Sequence, residues 1–126
     1  MSNEYIAGNC NIGKDEIRRR QTVALIGLFL MFFSASTILG TEQSRSVRLS
    51  IFLPAMIFAI GFIQARKKFC LAYGLAGTFN FGKLGSITKV QSEQDKKADR
   101  KTAISILSQS ALLAAAITSV FFALPL

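Results

Sequence analysis

The sequence predicts an all-α integral membrane protein: three transmembrane helices, with a cytosolic interfacial or re-entrant segment between the second and third. Three observations carry this expectation. Hydrophobic residues make up 51% of the chain although its net charge is +8. Apolar and charged residues are gathered into separate blocks instead of alternating at helical or strand period, which is how membrane spans joined by basic loops look. The Lys and Arg residues are also distributed very unevenly among the loops.

Residues 1–21 form a polar leading segment, broken early by Gly8, Asn9, Asn11 and Gly13. From Lys14 the run KDEIRRRQ reads as the polar first turns of a helix entering the membrane. Arg18, Arg19 and Arg20 are expected at the lipid headgroups as topological anchors. A basic leader before an apolar run also describes a cleavable signal peptide. Both parts are longer here than such peptides carry, so a retained signal-anchor is expected. Residues 22–40 are the first span: nineteen uncharged residues at 1.5 Å rise cover about 28 Å, close to the hydrocarbon thickness. Ser34, Ser36 and Thr37 return their hydroxyls to carbonyls of the preceding turn. Residues 41–48, TEQSRSVR, form the outer turn of a helical hairpin.

Residues 49–65 are the second span, with Pro54 expected in its second turn, where the ring bends a helix. Ala55 with Ala59, and Gly61 with Ala65, are small pairs four residues apart that let another helix approach closely. Gln64 suits interfacial hydration, an interhelical hydrogen bond or a cofactor contact. Residues 66–82 open with a basic knot, Arg66, Lys67 and Lys68, expected at lipid headgroups. Beyond Cys70 they continue as an apolar stretch over 71–81, weakened as a helix by Gly74, Gly77 and Gly82. Eleven residues are too few to span a bilayer. Residues 83–101 read as a polar juxtamembrane linker or amphipathic helix. Ile87, Val90 and Ala98 recur at near-helical spacing, and Glu93 precedes Lys97 by four. Residues 102–126 are the third span. Its small-residue stripe, Ala111, Ala115, Ser119 and Ala123, is expected to pack on protein, with Leu112, Leu113 and Ile117 off the stripe and Gln109 turned to the bundle.

Residues 1–21 carry four Lys or Arg, residues 66–101 carry nine, and residues 41–48 carry two. The positive-inside principle then places the N terminus, the basic knot and both cysteines on the cytosolic side, with the C terminus outside, as in a bacterial inner membrane. Anionic lipids on that face account for the rest of the basic excess. No aromatic-basic pattern or fold for nucleic acid accompanies it.

The chain has two cysteines and no histidine. The missing histidine removes the commonest metal ligand, the commonest general base and the usual haem ligand. Two cysteines alone do not make a structural zinc site. That is a thin inventory for an enzyme, and no cofactor or metal is expected. Any chemistry would have to rest on Cys10, Cys70, the few carboxylates, or Tyr5 and Tyr73. Cys70 follows the basic knot, and nearby cations enrich a reactive thiolate. If the leading segment folds back beneath the hairpin, the two thiols can meet as a pair or a persulfide relay. The plainer reading makes both small apolar fillers. Phe69, Tyr73, Phe79 and Phe81, together with Gln64, suggest contact with a lipid, quinone or pigment; the plainer reading is interface anchoring. No charged side chain lies deep within a span, which disfavours transport.

Asn11, Ile12 and Gly13, an acidic residue at Glu16, Arg20, a helical hairpin and then Cys70-x-x-Tyr73-x-x-x-Gly77 follow one another over about residues 11–80. In this the chain resembles the small two-helix inner-membrane domain of the YgaP type (DUF2892), which some bacteria fuse to a rhodanese sulfurtransferase. In that family an N-x-G opening with Asp and Arg precedes the first helix, and a Cys-Pro-Leu-Tyr segment near a Gly and an Asn follows the second. This chain departs from the pattern: Leu71 stands at the family's proline, the family's first arginine falls on Ile17 with Arg18 displaced by one, and the third span lies outside the resemblance. The resemblance implies a membrane hairpin close to sulfur or thiol chemistry.

Three functional readings follow. The first is a structural or accessory subunit that packs through small-residue faces against other transmembrane subunits or copies of itself. The alternative is a thiol- or persulfide-handling protein of the cytosolic face that uses Cys10 and Cys70. The third is lipid, quinone or pigment binding at the aromatic interfacial segment.

Overall fold

The computed structural model describes residues 5–83, 85 and 87–125; residues 1–4, 84, 86 and 126 lie outside the described residues. Helix α1 runs Lys14–Gly40, a 3-10 helix covers Arg45–Ile51, and α2 follows at Phe52–Lys67. A short α3 at Leu71–Ala76 leads to β1 at Thr78–Phe79, β2 at Thr88–Lys89 and the long α4 at Glu93–Ala123. Three of these stretches are long and apolar enough to cross a membrane: Lys14–Gly40, Arg45–Lys67 and Glu93–Ala123.

Helix α2 lies between α1 and α4, packing on both, while α3 packs on α4 and the 3-10 helix reaches the same helix. The contact between α1 and α2 is unusually close because each contributes a glycine. A Cβ built on Gly27 would sit 2.3 Å from the Phe58 nitrogen, and one on Gly61 would sit 2.6 Å from the Ala24 nitrogen. Small residues at the crossing thus let the backbones touch; Gly61 was expected in such a role, paired with Ala65, and Gly27 was not singled out. Ala55 and Ala59 are fully buried and Ala65 is half-buried. Two apolar clusters close the bundle, Ile38 with Ile51 and Phe121 at one end, and Phe69 with Ala103 and Ile106 at the other. Leu25, Phe29, Phe32, Phe33, Leu53, Leu112 and Val120 stay exposed, as side chains facing lipid would.

Several boundaries differ from the sequence reading. The expected outer turn is largely helical, because the 3-10 helix takes up Arg45–Ile51 and ends as α2 begins. Pro54 therefore falls in the first turn of α2, directly behind the 3-10 helix, and not in a second turn. The expected amphipathic helix over 83–101 does not form as such. Thr78 and Phe79 pair with Lys89 and Thr88 in an antiparallel hairpin, so Ile87 and Val90 lie outside any helix. Helix α4 begins only at Glu93, where the Ser92 hydroxyl caps the Asp95 amide, and then runs unbroken into the third apolar segment. Glu93 pairs with Lys96 at 3.2 Å, three residues on, in place of Lys97.

The α4 packing face is a second correction. Ala103, Ile106, Ser110, Ala114, Thr118 and Phe121 are buried, whereas Ala115, Ser119 and Ala123 are exposed and Ala111 is half-buried. The neighbouring rows at 110, 114, 118 and at 111, 115, 119 are equally small, so composition does not choose between them. The helix phase, fixed by Ala103 and Ile106 under α3, does. Gln109 points outward and donates to the Ser105 hydroxyl at 2.9 Å, contrary to the expectation that it faces the bundle.

Candidate functional site: a buried polar cluster around Cys70

Charged and polar side chains converge where the start of α1, the end of α2, α3 and the first turns of α4 meet. The leading segment builds one wall. Residues 11–13 run extended beside residue 80, with the Asn80 amide donating to Asn11 O at 2.9 Å and the Gly13 amide to Asn80 O at 2.8 Å. The Asn11 carboxamide then reads the backbone of Cys70 on both sides: Nδ2 donates to its carbonyl at 3.1 Å, and its amide donates to Oδ1 at 2.7 Å. Lys68 in the left-handed region (φ 55°) ends α2, and Gln64 Oε1 accepts the Leu71 amide at 2.8 Å as α3 begins. Gly77, at φ 73°, ends α3 in the same left-handed turn, a conformation that costs glycine little.

Glu16 occupies the centre and is fully buried. It accepts from three donors: Arg20 Nη1 at 2.9 Å, the Tyr73 hydroxyl at 2.5 Å and Asn80 Nδ2 at 3.0 Å. A carboxylate removed from water needs such partners, since burying an unpaired charge is costly. Arg20 sits one helical turn beyond Glu16, on the same face of α1. Its second nitrogen, Nη2, donates to Cys70 Sγ at 2.7 Å, and its Cζ lies 5.8 Å from the centre of the Tyr73 ring. Burial and, after it, the bond to Glu16 hold the Tyr73 phenol above its ordinary range.

A second buried carboxylate, Asp99 on α4, faces the leading segment. It accepts from the Tyr5 hydroxyl at 2.5 Å and from the Gly8 amide at 2.6 Å. Burial, then the bond to Asp99, likewise raises the Tyr5 phenol. Tyr5 also stacks on Phe79 with ring centres 4.7 Å apart.

Comparison with protein-family models, with curated proteins and with solved structures finds no match for this chain.

The residues singled out from sequence separate into distinct roles. Cys70 is buried and engaged by Arg20, while the half-buried Cys10 points its sulfur to Ile12 O at 3.8 Å; both are free thiols. The cation on Cys70 is therefore Arg20 from α1, not a member of the adjacent knot. Arg20 is accordingly not a headgroup anchor, because its position on the bundle face of α1 turns it inward. Arg18, Arg19, Arg66 and Lys67 remain exposed, with Arg66 over the Phe62 ring at 5.7 Å. Of the proposed ligand contacts, Phe69 is wholly enclosed in the apolar core, Gln64 is used by the Leu71 amide, and Phe79 and Phe81 pack on each other. Asn11, Gly13, Glu16, Arg20, Cys70, Tyr73 and Gly77, which carry the family resemblance, all lie in or beside the cluster. Asn80 and Asp99 were not singled out, and Tyr5 was named without any sign of its partner. Each is a single polar residue whose partner is far away in sequence, and no spacing flags it.

Among the described residues no group of three or more His, Cys, Asp or Glu side chains is arranged to hold a metal ion.

Proposed function

We propose that this chain is a thiol-handling protein of the bacterial inner membrane, with its N terminus and Cys70 on the cytosolic face, and that Cys70 accepts sulfane sulfur from small persulfides. The observation that carries the reading is the Arg20 guanidinium shared between Glu16 and the Cys70 sulfur. Arg20 places a cation on the attacking sulfur, as reactive cysteine sites do, and Glu16, held in turn by Tyr73 and Asn80, fixes that cation in place. In the transfer, Cys70 Sγ attacks the outer sulfur of a persulfide RS–SH. The new Sγ–S bond forms as the RS–S bond breaks, and RS⁻ leaves and takes up a proton, with no net oxidation.

The orientation rests on the thirteen basic residues of the two inner segments. The two basic residues at the other end have a structural reason to be there. Arg48 Nη1 donates to Phe121 O at 3.1 Å and Leu124 O at 2.9 Å, and Arg45 Nη1 to Phe122 O at 2.6 Å, so both cap the carbonyl end of α4. Exposed Arg18, Arg19, Arg66 and Lys67 would meet anionic headgroups on the cytosolic face.

The test uses the full chain in nanodiscs, treated with cysteine persulfide and read by mass spectrometry. The reading expects one added sulfur atom on Cys70, retained in Cys10→Ser and lost in Cys70→Ser. No added sulfur, or sulfur on Cys10 alone, would remove it.

A second reading, an accessory subunit, is favoured by the outward stripe of Ala115, Ser119 and Ala123, which the chain's own helices leave uncovered. It expects another transmembrane protein, or a second copy of the chain, to co-migrate after extraction in mild detergent; a lone monomer at native expression would count against it.

A further inference from the structure

We infer that residues 5–13 are a strap that gates Cys70, latched by Asp99. The inference rests on the reading of Cys70 as a reacting thiol, and it names how a small sulfur compound would reach it. Cys70 is 2% exposed, so in the closed state no reagent has a path to its sulfur, and something beside it has to move.

The strap is the element whose displacement would uncover Cys70 with least damage to the bundle. Residues 5–13 precede α1 and belong to none of the three long helices. Besides the pairing of residues 11–13 with residue 80, their contacts are of two kinds. At the inner end, Asn11 takes both backbone hydrogen bonds of Cys70, and the Asn11 amide donates to Lys68 O at 3.2 Å. At the outer end, the strap is fastened to α4 alone by hydrogen bonds: both Asp99 oxygens take strap donors, Tyr5 OH and the Gly8 amide, and the Thr102 hydroxyl donates to Gly8 O at 2.6 Å. The Tyr5 stack on Phe79 completes the closure.

Asp99 is fully buried, and nothing in α4 packing requires a carboxylate there. Within the helix it stands between Asp95 and Ala103 on the face that meets α3 and the strap. Its two described partners are both strap groups. A buried carboxylate whose described donors both come from one detachable segment is a latch: the two strap donors stand in for the water it has lost while the strap is down, and lifting the strap exchanges them for water. Opening would free Cys70 from Asn11 while leaving the Arg20 and Glu16 pair on α1 intact. The thiol would then be presented together with its cation.

The experiment measures N-ethylmaleimide labelling of Cys70 in full-length Cys10→Ser protein in nanodiscs, where Cys70 is the sole thiol. When opening and closing are fast relative to labelling, the rate follows the open population. Asp99→Ala and Tyr5→Phe are each expected to speed labelling about ten-fold or more. Ile51→Val, which trims the apolar cluster at the opposite end, serves as the control for general loosening and is expected to leave the rate unchanged. Hydrogen exchange supplies a second readout: in Asp99→Ala the Asn11, Gly13 and Asn80 amides lose protection together while α2 keeps its own. Unchanged labelling in both latch variants, or an equal gain in Ile51→Val, would overturn the inference. Maleimide adds to Cys70 without any persulfide, and the latch variants leave Arg20 and Glu16 in place, so failure of the gate and failure of sulfur transfer are read separately.

Discussion

Arg20 and Cys70 stand fifty positions apart in the chain, yet Nη2 of the arginine lies 2.7 Å from the cysteine sulfur while Nη1 holds Glu16. One guanidinium thus ties the first turns of α1 to the junction between α2 and α3, and the strength of that tie can be measured.

Glu16→Gln and Arg20→Gln each leave a buried charge without its partner. Each is expected to cost about 3 kcal/mol or more in thermal or denaturant unfolding. Because the two share one network, the double variant should lose less than the sum, by about 1–3 kcal/mol. Simple additivity would mean that the two side chains act independently.

The α1–α2 crossing should reject any side chain. Gly27→Ala and Gly61→Ala would each drive a Cβ into backbone, and each is expected to cost about 1–3 kcal/mol, read as a lower melting temperature. Gly40→Ala has nothing within 4 Å of its Cβ and should be close to neutral.

At the other end of the bundle, Arg48→Ala removes the donor to Phe121 O and one of two donors to Leu124 O, the other being Arg45. A loss of about 1–3 kcal/mol is expected, since the Arg48 side chain is buried. Arg45 is exposed, and its replacement by alanine should cost less than Arg48→Ala in the same melting assay.

Tyr5 and Tyr73 are the chain's two tyrosines and it has no tryptophan, so the tyrosinate absorbance band reports these two phenols alone. Burial raises both, with their bonds to Asp99 and Glu16 adding to it. The folded protein therefore keeps protons that the unfolded chain gives up near pH 10, roughly the free phenol value. The stabilisation is complete below about pH 10 and is lost as pH rises through the folded values. Little tyrosinate is expected in the folded protein at about pH 10.5, followed by a fall in stability at higher pH. Titration at the free-tyrosine value would contradict the buried bonds.

The long apolar helices were legible because segregated blocks and loop charge need only composition. Of the two crossing glycines, Gly61 was legible because small pairs at i and i+4 have one common use, whereas Gly27 has Val23 and Met31 four positions away and carried no such sign. The α4 face was not, since its two neighbouring small-residue rows differ only in phase, and phase is set by Phe69 and α3 beneath it. The hairpin of β1 and β2 was masked by the helical spacing of Ile87, Val90 and Ala98, a coincidence of three residues. In the candidate site, Cys70 was visible and its cation was misassigned. The adjacent Arg66, Lys67 and Lys68 drew attention, while Arg20 reaches Cys70 only because the first and second helices fold back on one another. Glu16 four residues before Arg20 was the one local sign of a pair on a common face. Asp99 gave none, because its partners arrive from the opposite end of the chain.

The central claim is that Arg20 makes Cys70 a working nucleophile. The most direct measurement is the rate at which Cys70 gains sulfur from cysteine persulfide at neutral pH, in folded Cys10→Ser protein and in the same protein carrying Arg20→Lys or Arg20→Gln. The account predicts a fall of about ten-fold or more on Arg20→Gln, with Arg20→Lys between the two because a point charge cannot bridge Glu16 and Cys70 as a fork does. Equal rates in all three folded proteins would contradict it.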